Sequence, residues 1–453
     1  MHKRVWIALA LASALGLAGC GGGGNPSPPT LATVSSVNAA STAPAAPPSG
    51  GFKQVVVFGD SLSDDGAYTL AALSVYGPGT SANISFSGLP YPAGGQFTVN
   101  GAPTGNWTNV LAKSLNISLT PNLIGYGTPS GVMYLGGATG PTATPAFCAF
   151  SAPPSSGMAN CTNFAQGGSR VSDANGIGHS GGALTLPVTQ QVQNYLTQFG
   201  GSFNGNQLVT VLAGNNDIFA ALATVNASVT QAVTQAVTSA LQQNPNLTQA
   251  QLAAIQASAQ QNATTAAVAN AQQTIAQAAD ALAAQVNLIT SKGAKYVLVY
   301  TLPDSSLTPF GRGLPYTAAN PPQSPPPGYV CDNTVTSTPC YLLSNLVQLF
   351  NQRLLNDLQG QPVKVLDGYS LLNQEIANPA QFGFTNVTTP WCNPATTSSL
   401  LCNVNTPYTA AGASTANLGS WLFADALHPT PAGYQVIANA TLQAMKGFGW
   451  ISQ

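Results

Sequence analysis

The chain has 453 residues, of which 44% are hydrophobic and only 5% charged, and its formal net charge is −1. Globular chains usually carry about 25% charged residues, so no basic footprint for nucleic acid exists and each remaining charge is informative. The length allows roughly one to three domains of about 100–200 residues each.

Met1-His2-Lys3-Arg4 precede the apolar run VWIALALASALGLAG, a basic segment followed by a stretch too short to remain as a spanning helix. The run ends in Leu17-Ala18-Gly19-Cys20, which resembles the bacterial lipobox, where cleavage leaves a cysteine to receive diacylglycerol. Residues 1–19 are thus expected to be a lipoprotein signal peptide and Cys20 the lipid attachment. Such a lipid holds a protein on a membrane without a transmembrane helix. The expected destination is the cell envelope, at the outer membrane given Gly21 after the cysteine. Residues 20–50 are rich in Gly, Pro, Ser and Ala without an apolar period, the composition of a flexible tether. The folded domain is expected over residues 51–453.

That domain opens with Val55-Val56-Val57-Phe58, a short apolar run that feeds Gly-Asp-Ser. Similar runs follow at 208–212, 296–300 and 363–366, each ending in a polar loop. Continuous apolar runs of this length suit buried parallel strands. Helix-period segments lie between them, which predicts an α/β fold with a doubly wound, mostly parallel sheet and ligands at the carboxyl ends of the strands. From about 220 to 291 the chain is rich in Ala, Gln, Thr and Val, with Val225, Val229, Val233, Val237 and Leu241 at every fourth position. Pro245 breaks this stripe, and Thr248 with Gln251 forms a capping-box pattern, so an inserted antiparallel helical hairpin is expected. The Gly- and Pro-rich segments 77–160 and 303–340 are expected to be long loops bordering the site.

Besides Cys20 there are six cysteines, in three sequence-local couples. In an oxidising compartment the expected disulfides are Cys148 with Cys161, Cys331 with Cys340 and Cys392 with Cys402, out of about fifteen possible pairings. The short spacings of a zinc site are missing, and beyond Cys20 only His179, His428 and Glu375 add histidine or glutamate, so neither metal nor cofactor is expected.

Five of the twelve acidic residues, Asp60, Asp64, Asp65, Asp217 and Asp425, fall within three short motifs. Gly59-Asp60-Ser61-Leu62-Ser63-Asp64-Asp65-Gly66 places a serine just after a strand, beside a glycine that permits a sharp turn. Asp425-Ala426-Leu427-His428-Pro429-Thr430 sets a carboxylate and an imidazole three residues apart, so one short loop can present both as general base and orienting group. His179 lies in a Gly-rich loop with no carboxylate beside it and is expected to be structural or exposed. Between these motifs lie Asn163-Phe164-Ala165-Gln166-Gly167-Gly168 and Gly214-Asn215-Asn216-Asp217.

Together these four blocks resemble those of the GDSL (SGNH) hydrolases: GDSLSD, N-[FY]-A-x-G-G, G-x-N-D and D-x-x-H, in the family's order. The resemblance implies a three-layer, flavodoxin-like α/β/α fold and an esterase without cofactor, acting on small-molecule or lipid esters. It assigns Ser61 as nucleophile, His428 as general base and then acid, and Asp425 as its partner. The oxyanion donors it implies are the Ser61 N–H, the Gly168 N–H in preference to that of Gly167, and the Asn216 side-chain amide, with Asp217 fixing the loop. Phe97, Asn100 and Gly105-Asn106-Trp107-Thr108 resemble a stretch of the bacterial phospholipase, lecithinase and hemolysin-like branch. An O-acetyl glycan esterase using Trp107, Trp391 and Trp421 as sugar platforms is the alternative within the class. A non-catalytic surface-binding lipoprotein is the alternative outside it.

Overall fold

A computed structural model describes residues 34–68, 95–122, 126–128, 131–133, 161–181, 183–319 and 322–452. In chain order the strands are β1 (Gln54–Gly59), β2 (Tyr126–Thr128), β3 (Gly131–Met133), β4 (Gln207–Leu212), β5 (Tyr296–Tyr300) and β6 (Lys364–Leu366). The helices of seven residues or more are α1 (Val34–Ala40), α2 (Trp107–Ser114), α3 (Val188–Gln198), α4 (Asn215–Gln243), α5 (Gln249–Ser291), α6 (Pro339–Asp357), α7 (Gly368–Ala377) and α8 (Pro431–Gly447).

β1, β4, β5 and β6 form one parallel sheet in that spatial order, with Val56 opposite Val209 and Val299 opposite Val365. On the other side of β1, the Val57 N–H donates to Thr162 O and the Phe164 N–H to Val57 O, at 2.9 and 2.8 Å. Residues 162–164 therefore extend the sheet beyond β1. The chain leaves β1 towards that side and later returns past it to β4, so the strand order reverses at β1. At such a reversal an open α/β sheet leaves a crevice at the carboxyl ends of its strands.

Helices α3 to α6 pack as one group and α2 with α8 as another, covering the two faces. Strands covered on both faces need apolar side chains at every position, and Val55, Val56, Val57 and Phe58 are all fully buried. Phe58 meets Tyr195 of α3 edge to face at 6.0 Å. Tyr300 packs against Trp107 of α2 at 4.9 Å and shares a 2.8 Å hydrogen bond with Thr441 of α8. All four expected strands are present.

The helical hairpin is present, but its first helix begins at Asn215, inside the third motif, rather than near residue 220. Thr248 and Gln251 make both hydrogen bonds of the capping box that starts α5. Val225 and Val229 are buried against α5, whereas Leu241 is exposed. At 43 residues α5 is about 65 Å long, so the distal half of the hairpin extends past the core.

The tether expected over residues 20–50 is corrected from residue 34 onward. Val37 is fully buried, and the Asn38 side chain donates to Val365 O at 2.8 Å and accepts the Val365 N–H at 2.7 Å. The amide thus replaces a neighbouring strand at the outer edge of β6, where backbone groups would otherwise lack partners. Further along, Pro44 O accepts Trp450 Nε1–H at 2.7 Å and Ala46 O accepts the Tyr296 hydroxyl at 2.9 Å. Val37, the side chains of Asn38 and Ser41 and a few backbone groups hold this segment, too small a signal for an apolar period. Cys20 and the preceding residues lie outside the described residues, as does most of 77–160. Among the described residues no helix is long and apolar enough to cross a membrane.

Cys331 is bonded to Cys340 and Cys392 to Cys402, as expected. Cys161 is also disulfide-bonded, while its expected partner Cys148 lies outside the described residues. If Asn38 covers the sheet edge, Asn38→Ala should lower the unfolding free energy in urea by about 1–3 kcal/mol, the cost of leaving buried backbone groups unpaired. An unchanged midpoint would mean that the segment is a tether after all.

Candidate active site

The turn after β1 depends on Gly59. A Cβ there would lie 2.4 Å from Leu212 O, so only glycine lets the ends of β1 and β4 approach this closely. Gln191 of α3 clamps the same residue, accepting the Gly59 N–H at 2.9 Å and donating to Gly59 O at 2.8 Å. Beyond it, Asp60 Oδ1 accepts the Leu62 N–H at 3.0 Å. Asn106, the N-cap of α2, donates to Leu62 O, and Asn163 donates to Ser63 O, both at 2.8 Å. Ser61 is therefore presented by a turn held from three sides.

The carboxyls of this turn are buried, and among the described residues no Lys or Arg pairs with them. Burial pushes Asp60 up to about 7, against the Leu62 N–H and the His428 imidazole. Burial also raises Asp64 to about 6, although Oδ1 accepts the N–H groups of Gly66 and Ala67 and Oδ2 that of Gly167. Asp65 is raised by burial and by the adjacent Asp64, and accepts the Asn109 amide at 3.0 Å.

At the other end of the chain, Asp425 Oδ1 accepts the N–H groups of Leu427 and His428 at 2.7 Å, and the Ala424 N–H donates to His428 O at 2.8 Å. This closed loop is braced by the disulfide segment, where the Trp391 and Cys392 N–H groups donate to Phe423 O and Ala424 O. Thr430 then caps α8. The result is a continuous contact: His428 Nδ1 lies 2.8 Å from Asp425 Oδ2, and His428 Nε2 lies 2.8 Å from Ser61 Oγ. Burial alone would raise the Asp425 carboxyl, but the His428 imidazole and the two loop N–H groups outweigh it and hold it below the usual carboxylate range. Phe97 packs on the imidazole at 5.0 Å between ring centroids.

The candidate donors for an oxyanion differ in whether they are already occupied. Gly167 gives its N–H to Asp64 Oδ2 at 2.9 Å, so it is occupied. Gly168 lines the cavity at φ +78°, and a Cβ there would lie 2.1 Å from Ile177 O. Among the described residues, neither its N–H nor that of Ser61 has a protein acceptor. Asn216, in the first turn of α4, donates one amide hydrogen to Ser169 O at 2.9 Å and has a second to offer. Asn215 instead accepts the Ser305 hydroxyl. Asp217 accepts the Val171 N–H at 2.9 Å and Arg170 Nε–H at 3.2 Å, tying the Gly168 loop to α4. The helix N-terminus adds positive potential at this place.

Ser61 and His428 open into an apolar cavity of about 450 Å³. It runs along the carboxyl ends of the strands, past Phe219, Tyr300 and Leu366, to α7. Ser305, Thr308 and Phe310 line it, so the 303–340 segment does border the site. Glu375 of α7 lines it too; the residue is 4% exposed, its Oε1 has no partner, and burial pushes its carboxyl up to about 8. His179 hydrogen-bonds Thr185 and stays outside the lining. The sugar-platform expectation is corrected: Trp107, Trp391 and Trp421 are 0%, 0% and 4% exposed and none lines the cavity. Their rings fill the spaces beneath α2 and around the Cys392–Cys402 loop. Gln191 and Glu375 are not legible as site residues in the sequence, because each reaches the site from an element that carries no motif, and Arg170 follows the second motif but owes its place to Asp217 across the loop.

Residues 55–441 match the family described as GDSL-like Lipase/Acylhydrolase. A 160-residue stretch is 32% identical to a Pseudomonas putida protein named "Uncharacterized protein in trpE-trpG intergenic region", covering 35% of this chain and 23% of that protein. A 109-residue stretch is 33% identical to the "GDSL esterase/lipase APG" of Arabidopsis thaliana, covering 22% of this chain and 30% of that protein. The chain thus spans less than a third of either relative.

Because the folded pKa of Glu375 lies above its ordinary 4.5, the folded state holds its proton more tightly than the unfolded state. Its contribution to stability is intact below pH 4.5 and is lost as the pH rises towards 8. Glu375→Gln should therefore be stabilising by an amount that is small at acid pH and grows to on the order of a few kcal/mol at about pH 9. Urea unfolding across this range checks it, and a difference independent of pH would contradict it.

Proposed function

The chain belongs to the GDSL-like lipase/acylhydrolase family, and on that premise we propose that it is a serine hydrolase of carboxylic esters with acyl-lipid or short- to medium-chain acyl substrates. The observation that carries this is the unbroken contact from Asp425 through His428 to Ser61, opening into an apolar cavity. In this reading His428 Nε2 takes the proton of Ser61 Oγ as the oxygen attacks the ester carbonyl. Asp425 keeps the other imidazole proton on Nδ1 and stabilises the imidazolium that forms. The oxyanion lies between the N–H groups of Ser61 and Gly168 and the free amide hydrogen of Asn216, donors that need no reorganisation during reaction. His428 then gives its proton to the departing alcohol. A water activated by the same imidazole hydrolyses the acyl-enzyme.

The apolar lining and the burial of the three tryptophans favour an acyl chain over an acetylated glycan. An intact triad favours an enzyme over a binding protein. We also propose that Cys20 carries a lipid anchor that holds the enzyme at the cell envelope, on the outer membrane, in reach of lipid esters.

In p-nitrophenyl ester assays Ser61→Ala should abolish turnover and labelling by an organophosphonate, and Asn216→Ala should lower kcat by about 10²–10³. Full activity in the Ser61 variant would overturn the assignment. For the anchor, Cys20→Ser should eliminate metabolic labelling with palmitate and release the protein from the membrane fraction. Labelling that persists would place the lipid elsewhere or remove it from the account.

A further inference from the structure

Glu375 is the single glutamate of the chain, and nothing in the ester-cleaving chemistry above uses it. It lies on α7, after the strand at the far edge of the sheet from β1, yet it lines the same cavity as Ser61 and His428. The lining also includes Leu371 and Leu372 of α7, Leu422, Phe423 and Ile437. The residue is 4% exposed and, among the described residues, Oε1 has no hydrogen-bond partner. A leucine would suit such surroundings better, since a buried polar atom without a partner destabilises the fold. A partner arriving from the cavity relieves this.

We propose that Glu375 is a specificity residue that hydrogen-bonds a hydroxyl carried by the acyl chain, so that hydroxyacyl esters are the preferred substrates. This rests on the esterase function proposed above. A carboxyl that keeps its proton offers one O–H donor together with acceptor lone pairs, which complements a hydroxyl, itself donor and acceptor. Burial, which pushes this carboxyl to about 8, leaves it proton-bearing at neutral pH and makes it a poor partner for an ammonium group. The acyl arm is the one that occupies the cavity because it stays bonded to Ser61 after the first step, whereas the alcohol must leave through the open side. An unsubstituted alkyl chain would leave Glu375 unpaired, and the site then discriminates against it by the mechanism through which polar pockets reject analogues lacking a hydroxyl.

The test compares p-nitrophenyl alkanoates with hydroxyalkanoates of equal chain length, the hydroxyl being moved stepwise along the chain. Wild-type, Glu375→Gln and Glu375→Leu enzymes are used, each checked by thermal unfolding. One hydroxyl position should raise the wild-type kcat/KM at least about ten-fold, chiefly through KM, as one added hydrogen bond allows. Glu375→Gln, which still donates and accepts, should retain most of this ratio, and Glu375→Leu should reduce it to near one. No favoured position in the wild type, or an equal preference in the leucine variant, would overturn the proposal. In that case continued turnover of p-nitrophenyl acetate, absent in Ser61→Ala, would leave the esterase function standing. Failure of the wild type to cleave any ester or to react with an organophosphonate would remove both.

Discussion

The hydrogen bond between His428 Nε2 and Ser61 Oγ joins groups 367 residues apart in sequence, and most of the architecture serves to hold its two ends still. One end is fixed to the sheet. Gly59 permits the close approach of β1 and β4, and Gln191, Asn106 and Asn163 fasten the turn that follows. The other end belongs to a loop closed on itself by Asp425, braced by the Cys392–Cys402 segment and continued into α8 through the Thr430 cap. A misplacement of about 1 Å at either end would cost much of the advantage that positioning gives.

Electrostatics in this chain work through backbone amides more than through ion pairs. Asp60, Asp64 and Asp65 are buried with no Lys or Arg paired to them among the described residues; each accepts N–H or amide donors, and Asp60 Oδ2 and Asp65 Oδ1 find no partner there. That arrangement also bears on the proposed oxyanion donors. By accepting the Gly167 N–H, Asp64 leaves Gly168 as the glycine of the pair whose amide is free to face the cavity. Asp217 does similar work across the loop, holding Val171 and Arg170 against the start of α4. At Asp425, which meets the His428 imidazole and two loop N–H groups, these contacts outweigh burial and the carboxyl is held low. Two kinds of buried acid thus coexist within one site, one raised by burial and the other held low by its contacts.

The division of labour across the sheet follows from topology. The reversal of strand order at β1 opens the crevice where Ser61 sits, and the cavity wall is shared between segments before β5, including Tyr68, Phe97 and Phe219, and segments after β5 and β6, including Phe310, Leu371 and Glu375. The turn after β1 thus supplies Ser61, while His428 and the cavity wall come from several distant segments that the sheet brings together.

Much of this was legible before any coordinates. Apolar runs marked all four strands because both faces of the sheet are covered, and the motifs marked Ser61, Gly168, Asn216, Asp425 and His428 because each lies in a short local turn. The valine stripe, Pro245 and the Thr248 cap foretold the hairpin for the same reason: they are local signals. Composition misjudged residues 34–50, since their attachment rests on Asn38 meeting Val365, a contact invisible until β6 is known to be an edge. It also offered Trp107, Trp391 and Trp421 as platforms, although burial depends on what packs over a ring and not on the ring itself. The preference for Gly168 over Gly167 acquires its physical reason only from the Asp64 contact. By itself the sequence determined the strands, the motifs and two local disulfides, because each depends on neighbours along the chain. Only the tertiary structure decided the cavity, the clamp of Gln191 and the placing of Glu375, because those depend on which distant elements the sheet brings side by side.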